Sequence, residues 1–344
     1  MSRTRIASEV DFDKEGKQHG FLRLPHSTHR SAYGWIPIPI SCIRRGEGPT
    51  VLLISGNHGD EYEGQVALMK LSRRLEPADV SGRIIILSAA NFPAAIAGER
   101  TSPIDDGNLN RSFPGNPDGS VTQMIAHYIE TVLLPKADLA IDVHSGGSSL
   151  MYIPSALIRR TDDAERLAKL KKLLALFGAP ISFVFAMPQG EDRTLSAAAN
   201  RAGVALFGTE IGGGGTVQPH ALRIAETGLA RVLMAAGVLA RALTDEPAPK
   251  TRFMQVGGAD YYVYAPESGL FEPLVELGAE VKAGDVAGAI HFPATPWREP
   301  ALASFARAGL VICRRVPGRS ERGDCLFHLA TDMAVGRASN RAEG

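Results

Sequence analysis

The sequence is poor in cysteine, in long apolar runs and in net charge, and each shortage removes a class of protein. Only Cys42, Cys313 and Cys325 occur in 344 residues. Three thiols at such spacings form neither a disulfide framework nor a cysteine zinc site, so a reduced, cytoplasmic setting is expected. Lys and Arg total 37, and so do Asp and Glu. With neither sign in excess, the whole molecule exerts no long-range pull on nucleic acid or an anionic membrane, although a charged cleft is still allowed. Residues 1–20 are polar and mixed in charge, without the apolar stretch of a signal peptide. The most apolar helical stretch, residues 229–243, is interrupted by Arg231 and Arg241 and is too short to span a bilayer. Internal repeats and low-complexity tracts are also missing. What is present is an ordinary globular composition, 44% apolar and 22% charged, long enough for one large domain and a smaller one. It permits a dimer and does not require one.

Five short runs rich in Val, Ile and Leu read as strands covered on both faces, at residues 50–55, 83–88, 138–143, 181–186 and 204–208. Helical patterns lie among them at 63–75, 122–134, 163–177 and 221–242. The alternation predicts an α/β layer structure. Near Thr244 the composition changes, and Thr244-Asp-Glu-Pro-Ala-Pro-Lys250 reads as a linker because two prolines and several charges oppose a packed helix. Beyond it the pattern is β-like and turn-rich, which predicts a small β-sandwich or partial barrel over about 253–332. Within that stretch, Ala265-Pro-Glu-Ser-Gly-Leu270 and Glu280-Val-Lys-Ala-Gly-Asp285 resemble the biotinyl/lipoyl-like hammerhead fold. No modifiable lysine sits in a carrier-type hairpin, so the expected role is structural. The expected organisation is an α/β catalytic domain at 1–245 with an N-terminal β extension at 1–45, a linker at 246–250, a C-terminal β domain at 251–335 and a tail at 336–344.

Four motifs carry chemistry. In Ser55-Gly-Asn-His-Gly-Asp-Glu-Tyr-Glu-Gly64 a buried strand ends in a glycine turn, and His58 and Glu61 follow just before a helix. A neutral imidazole and a carboxylate aimed at one point are good zinc ligands. The same pattern suits a loop histidine beside a helix-capping acid. In Ala140-Ile-Asp-Val-His-Ser-Gly-Gly147, His144 also ends a buried strand. Open α/β sheets gather ligands outside the carboxyl ends of their strands. His58, Glu61 and His144 would then converge, leaving a fourth zinc position for water. Asp142, two residues earlier, is a candidate acceptor orienting a metal-bound imidazole, or equally a strand-end salt bridge. In Val204-Ala-Leu-Phe-Gly-Thr-Glu-Ile-Gly212, Glu210 follows a strand and precedes the glycines Gly212 to Gly215. A carboxylate there could serve as base and then acid, or cap a helix entry. The glycines allow close backbone approach to a ligand, or loop movement, and Gly213 is expected against the substrate. In Asn108-Leu-Asn-Arg-Ser-Phe113 an amide beside a guanidinium offers a bidentate grip on a carboxylate, and the same segment suits a loop Asn and Arg in solvent.

His58-Gly-Asp-Glu61, Leu109-Asn-Arg-Ser-Phe113, Asp142-Val-His144 and Thr209-Glu210 stand in the order of the succinylglutamate desuccinylase/aspartoacylase family, which the chain resembles over about residues 50–215. The resemblance implies a zinc-carboxypeptidase-like mixed sheet flanked by helices, one Zn2+ per chain on His58, Glu61 and His144, and Glu210 as general base then acid. It implies that Asn110 and Arg111 grip the substrate carboxylate and that an arginine, for which Arg100 is the nearest candidate, polarises the scissile carbonyl. His19-Gly-Phe-Leu-Arg-Leu-Pro-His26, Ser102-Pro-Ile-Asp105, Asn108-Leu-Asn-Arg-Ser-Phe-Pro-Gly115 and Glu210-Ile-Gly-Gly-Gly-Gly-Thr216 are similar to a narrower subgroup. Its members remove acetate from Nα-acetyl-L-2,4-diaminobutyrate in ectoine degradation. The expected partner is thus a small N-acyl amino acid. An aspartoacylase or desuccinylase needs further cations for a dicarboxylic acyl chain, for which Arg193 and Arg201 are candidates. A zinc carboxypeptidase acting on peptides needs an open cleft. The seven other histidines, His328 among them, lack a metal-ligand partner at a telling spacing, and His220 alone lies near the glycines.

Overall fold

The computed structural model describes residues 3–186 and 191–333. Its first strands are β1 (Ala7–Ser8), β2 (Gly16–Pro25), β3 (Trp35–Arg45), β4 (Thr50–Ser55) and β5 (Gly82–Leu87). Then come β6 (Leu139–His144), β7 (Leu150–Tyr152), β8 (Ser155–Arg159), β9 (Ile181–Phe185) and β10 (Ala205–Glu210). The helices among them are α1 (Tyr62–Arg74), α2 (Phe92–Ala97), α3 (Val121–Tyr128), α4 (Ala164–Phe177), α5 (Leu195–Arg201) and α6 (Pro219–Ala235). All five expected strands form within two residues of their expected limits. Strands β5, β4, β6 and β10 lie side by side and parallel at the centre of one large mixed sheet.

Period-2 alternation sorts the apolar side chains of these strands onto two faces. Val51 and Leu53 of β4 join Ile84, Ile86 and Ile141 against α1, α4 and α6. Leu52 and Ile54 join Ile85 and Leu87 against α3 and α5. The centre is therefore buried on both sides, which is why these runs are continuously apolar.

Two helices end earlier than their patterns suggest. The pattern at 221–242 stops as helix at Ala235, because Gly237 adopts φ 75° and turns the chain so that the Ala240 N–H donates to Asp79. The pattern at 122–134 is helical to Tyr128 and then widens into a π-turn over Ile129–Leu133. Pro135, which has no N–H to continue the ladder, follows in a short 3-10 turn.

Residues 244–250 carry no regular element. After them come β11 (Arg252–Val256), β12 (Tyr262–Tyr264), β13 (Gly269–Pro273), β14 (Glu280–Val281) and β15 (Val286–His291). The last strands are β16 (Ala301–Ser304), β17 (Gly309–Arg315), β18 (Arg319–Ser320) and β19 (Cys325–Asp332). Strands β16, β15, β13 and β18 form a second, antiparallel sheet. It packs on β12, β17 and β19 through Phe271 and Phe305, whose rings lie 5.8 and 5.5 Å from that of Phe327. The strands of this region also extend the large sheet, since β11 pairs parallel with β9 and β17 pairs with β7. This juncture brings residues beyond 250 next to the ends of the central strands. The tail expected at 336–344 lies outside the described residues. Among the described residues no helix is long and apolar enough to cross a membrane.

Candidate active site

The carboxyl ends of β4, β6 and β10 are neighbours, and the three leading motifs leave from them. Glu210 and His144 are direct Cα partners across β10 and β6. From β4 the chain turns through Gly56 and enters α1 after Glu61. Gly64, in the first turn of α1, lies so close to β6 that a Cβ would stand 2.5 Å from the Val143 carbonyl oxygen. That approach brings the Glu61 side chain to the end of β6. Glu61 occupies the N-cap position of α1 but makes no capping hydrogen bond with its side chain, so the helix-capping alternative does not describe it.

Its carboxylate is instead shared between two imidazoles. His58 Nδ1 lies 2.6 Å from Oε1 and His144 Nδ1 lies 2.6 Å from Oε2. All three side chains are buried, and their potential ligand atoms lie within 4.8 Å of one another. Among the described residues no other group of three such ligands comes together. The outer ring nitrogens are occupied too. His144 Nε2 meets Asp142 Oδ2 at 2.8 Å, and His58 Nε2 meets Asn108 Oδ1 at 3.2 Å. Asn57 Nδ2 donates to the second Asp142 oxygen at 2.7 Å. Two imidazole nitrogens and a carboxylate, each imidazole backed by an outer acceptor, are a donor set that suits a divalent ion such as zinc.

The electrostatics follow from this packing. Burial alone raises the Glu61 carboxyl, but the two imidazoles outweigh it and hold it well below the usual carboxylate range. Burial alone lowers His144, and the Asp142 and Glu61 carboxylates outweigh it, leaving the imidazole well above its ordinary value. At Glu210 the opposing charges of His144 and Arg100 do not offset burial. Burial, reinforced by the Glu61 charge, pushes its carboxyl up to about 8. Helix α6 begins nine residues beyond Glu210, so this side chain does not cap it.

A cavity of about 280 Å³ opens over these groups, and Arg100, Asn110 and Arg111 line it with them. Arg100 is half exposed, its Nη1 3.5 Å from Glu61 Oε1. Asn110 Oδ1 accepts the Leu195 N–H at 2.9 Å, which leaves its Nδ2 toward His144 at 3.5 Å. Arg111 is half exposed, 3.9 Å from Glu191. Gly213 does not line the cavity. At φ 132°, a Cβ there would stand 2.3 Å from the Leu150 carbonyl oxygen, so its place is in backbone packing beside the site. His220 is exposed and outside the cavity. Arg193 and Arg201 are engaged elsewhere, with Glu191 and with Glu130.

Several lining residues carried no signal in the sequence. Tyr262 and His328 come from β12 and β19, and their rings stack 4.3 Å apart. Tyr152 and Phe183 set their rings against His328, and Arg159 also lines the cavity. Burial pushes His328 down to about 3, so it stands there as a neutral ring. Asn57 and Asn108 were legible as neighbours of the motifs, although nothing in their spacing marked them as partners of Asp142 and His58.

The catalytic domain of the succinylglutamate desuccinylase/aspartoacylase family matches residues 47–236, more than half of the chain. The chain belongs to that family. It is similar to the N-alpha-acetyl-L-2,4-diaminobutyric acid deacetylase of Halomonas elongata, with 42% identity over 94% of each chain. Among solved structures it is similar to the product-bound ectoine utilization protein EutE (DoeB) from Ruegeria pomeroyi, at TM-score 0.91 and 40% identity over 96% of this chain and 100% of that one. A succinylglutamate desuccinylase/aspartoacylase from Rhodobacter sphaeroides gives TM-score 0.90 and 40% identity over 96% of this chain and 99% of that one. Family membership makes the chain an amide-hydrolysing enzyme of the acylase type.

Proposed function

We propose that this protein hydrolyses Nα-acetyl-L-2,4-diaminobutyrate to acetate and diaminobutyrate, with one zinc ion held by His58, Glu61 and His144. The observation that carries the chemistry is the Glu61 carboxylate shared by two buried imidazoles, with Glu210 on the strand paired beside His144. The substrate rests on the Halomonas elongata relative, whose likeness spans 94% of the chain. A zinc ion in this set supplies Lewis acidity toward a water molecule and the acyl oxygen. Glu210 takes a proton from the attacking water and returns it to the leaving amine as the C–N bond breaks. Its carboxyl lines the same cavity as the metal-binding set, where it can hold that proton between the two transfers. Arg100, at the cavity rim beside Glu61, donates to the oxygen on which negative charge develops. Asn110 and Arg111 bind the carboxylate of the amino acid. Asp142 fixes the ring orientation of His144.

The cavity is small, and residues beyond 250 wall one side of it, which favours a single N-acyl amino acid over a peptide. Arg159 in the cavity lining favours one second reading, an acyl chain bearing its own carboxylate, as in the desuccinylases. Cytoplasmic action is proposed with the first reading, since Cys42 and Cys313 are buried free thiols. Stripping the protein with a chelator is expected to abolish acetate release while leaving its far-ultraviolet circular dichroism unchanged, and added zinc is expected to restore activity. Acetate release that persists in fully stripped protein would exclude the proposed chemistry.

A further inference from the structure

Glu63, two residues after Glu61, is completely buried, and the chemistry described above makes no use of it. Its Oε1 accepts the backbone N–H of Gly213 at 3.3 Å and that of Gln218 at 3.4 Å. Both donors belong to the loop that runs from Glu210 to α6. Gly212, Gly213, Gly214 and Gly215 all have positive φ there, so four successive residues have no side chain with which to anchor the loop. Gln218 is the N-cap of α6, where free N–H groups and the helix dipole attract a carboxylate. A Cβ on Gly212 would come within 2.8 Å of Glu63 Oε1, which shows how closely the loop is drawn onto this side chain. Asp60, on the other side of Glu61, holds the opposite loop in the same way. Its Oδ2 accepts from Ser148 N at 2.7 Å and from Ser148 Oγ at 2.8 Å. The two loops are laced together by Gly146 N to Gly212 O at 3.1 Å and Gly215 N to Gly147 O at 2.8 Å.

We propose that Glu63 is a positioning residue: it ties α1, which follows the metal-ligating Glu61, to the glycine loop that follows Glu210, and so fixes where the Glu210 carboxyl stands. The inference rests on Glu210 being the base. Glu63 itself touches no substrate. A loop free to shift by an ångström would leave the metal ligands and the substrate contacts in place and misalign the proton transfers alone.

The test compares wild type, Glu63→Ala and Glu63→Gln, each zinc-loaded, for kcat, KM, metal content and amide hydrogen exchange at Gly213 and Gln218. In Glu63→Ala, kcat is expected to fall by about tenfold or more, with KM and metal content unchanged and both amides exchanging faster. A glutamine side-chain oxygen can accept the same two hydrogen bonds, so Glu63→Gln is expected to return kcat to within about threefold of wild type. A merely structural role would lower the melting temperature without this split between kcat and KM. The proposal is overturned if Glu63→Ala keeps wild-type kcat, if Glu63→Gln is no better than Glu63→Ala, or if Glu63→Ala loses its metal. Should Glu63→Ala fail to fold, Gln218→Pro removes one of the two donors with Glu63 intact, at a position whose φ −87° and ψ 122° suit proline. Unchanged kcat in that variant overturns the proposal equally. If wild type releases no acetate from the acetylated diamino acid, the hydrolase reading fails, and the exchange rates still decide whether Glu63 holds the loop.

Discussion

At the scale of single residues, the site is governed by what each charge meets on its two sides. His144 stands between Glu61 and Asp142, at 2.6 and 2.8 Å, and its imidazole is held well above its ordinary value. A metal must displace that proton, so metal affinity is expected to fall by about tenfold per pH unit below the raised His144 value. Replacing Asp142 by Ala acts in two directions. The His144 proton is released more easily, which moves the pH dependence of metal binding to lower pH. The ring also loses the partner that orients it, which is expected to weaken zinc binding about 10–100-fold at neutral pH. Competition with a chromophoric chelator across pH checks both effects, and wild-type affinity in Asp142→Ala would show that the contact is only a strand-end ion pair. His58, Glu61, His144 and Glu210 were legible in the sequence because each follows or ends an apolar strand near glycine, and Asp142 because it lies two residues before His144 on the same strand. The tie of Asn108 to His58 was not, because it depends on a loop path that spacing does not encode.

At the scale of elements, the geometry depends on how closely α1 lies against β6. Helix propensity alone favours alanine over Gly64 by about 1 kcal/mol. The Val143 carbonyl oxygen, 2.5 Å from where a Cβ would stand, opposes it. Gly64→Ala is therefore expected to push α1 away from β6, separate Glu61 from His144 and reduce zinc retained after dialysis, with a lower melting temperature. A Gly64→Ala protein that melts higher and keeps its zinc would mean that propensity outweighs the contact. The strands were readable because double burial makes them uniformly apolar. The end of α6 was not, since Val238, Leu239 and Leu243 continue the apolar pattern after the chain has turned at Gly237. They pack in the same core from a non-helical path, and a hydrophobic pattern does not distinguish the two.

At the scale of the whole molecule, the site is shared. The proposed metal ligands and Glu210 come from the ends of central strands, whereas Tyr262 and His328 come from strands beyond residue 250 that extend the same large sheet. The β character of that region was legible from its turns, and its contribution to the cavity was not. His328 lies 184 residues beyond His144, and the pairings of β9 with β11 and β7 with β17 help bring the two regions together. That shared wall narrows the cavity to the size of one small substrate. The decisive measurement is kcat/KM of the zinc-loaded protein and its Glu210→Gln variant on Nα-acetyl-L-2,4-diaminobutyrate, acetylaspartate, succinylglutamate and a dipeptide ending in leucine. The acetylated diaminobutyrate is expected to be hydrolysed fastest, with a loss of about 10²-fold or more in Glu210→Gln. Turnover that survives intact in Glu210→Gln, or no turnover of any of the four by zinc-loaded protein, would contradict it.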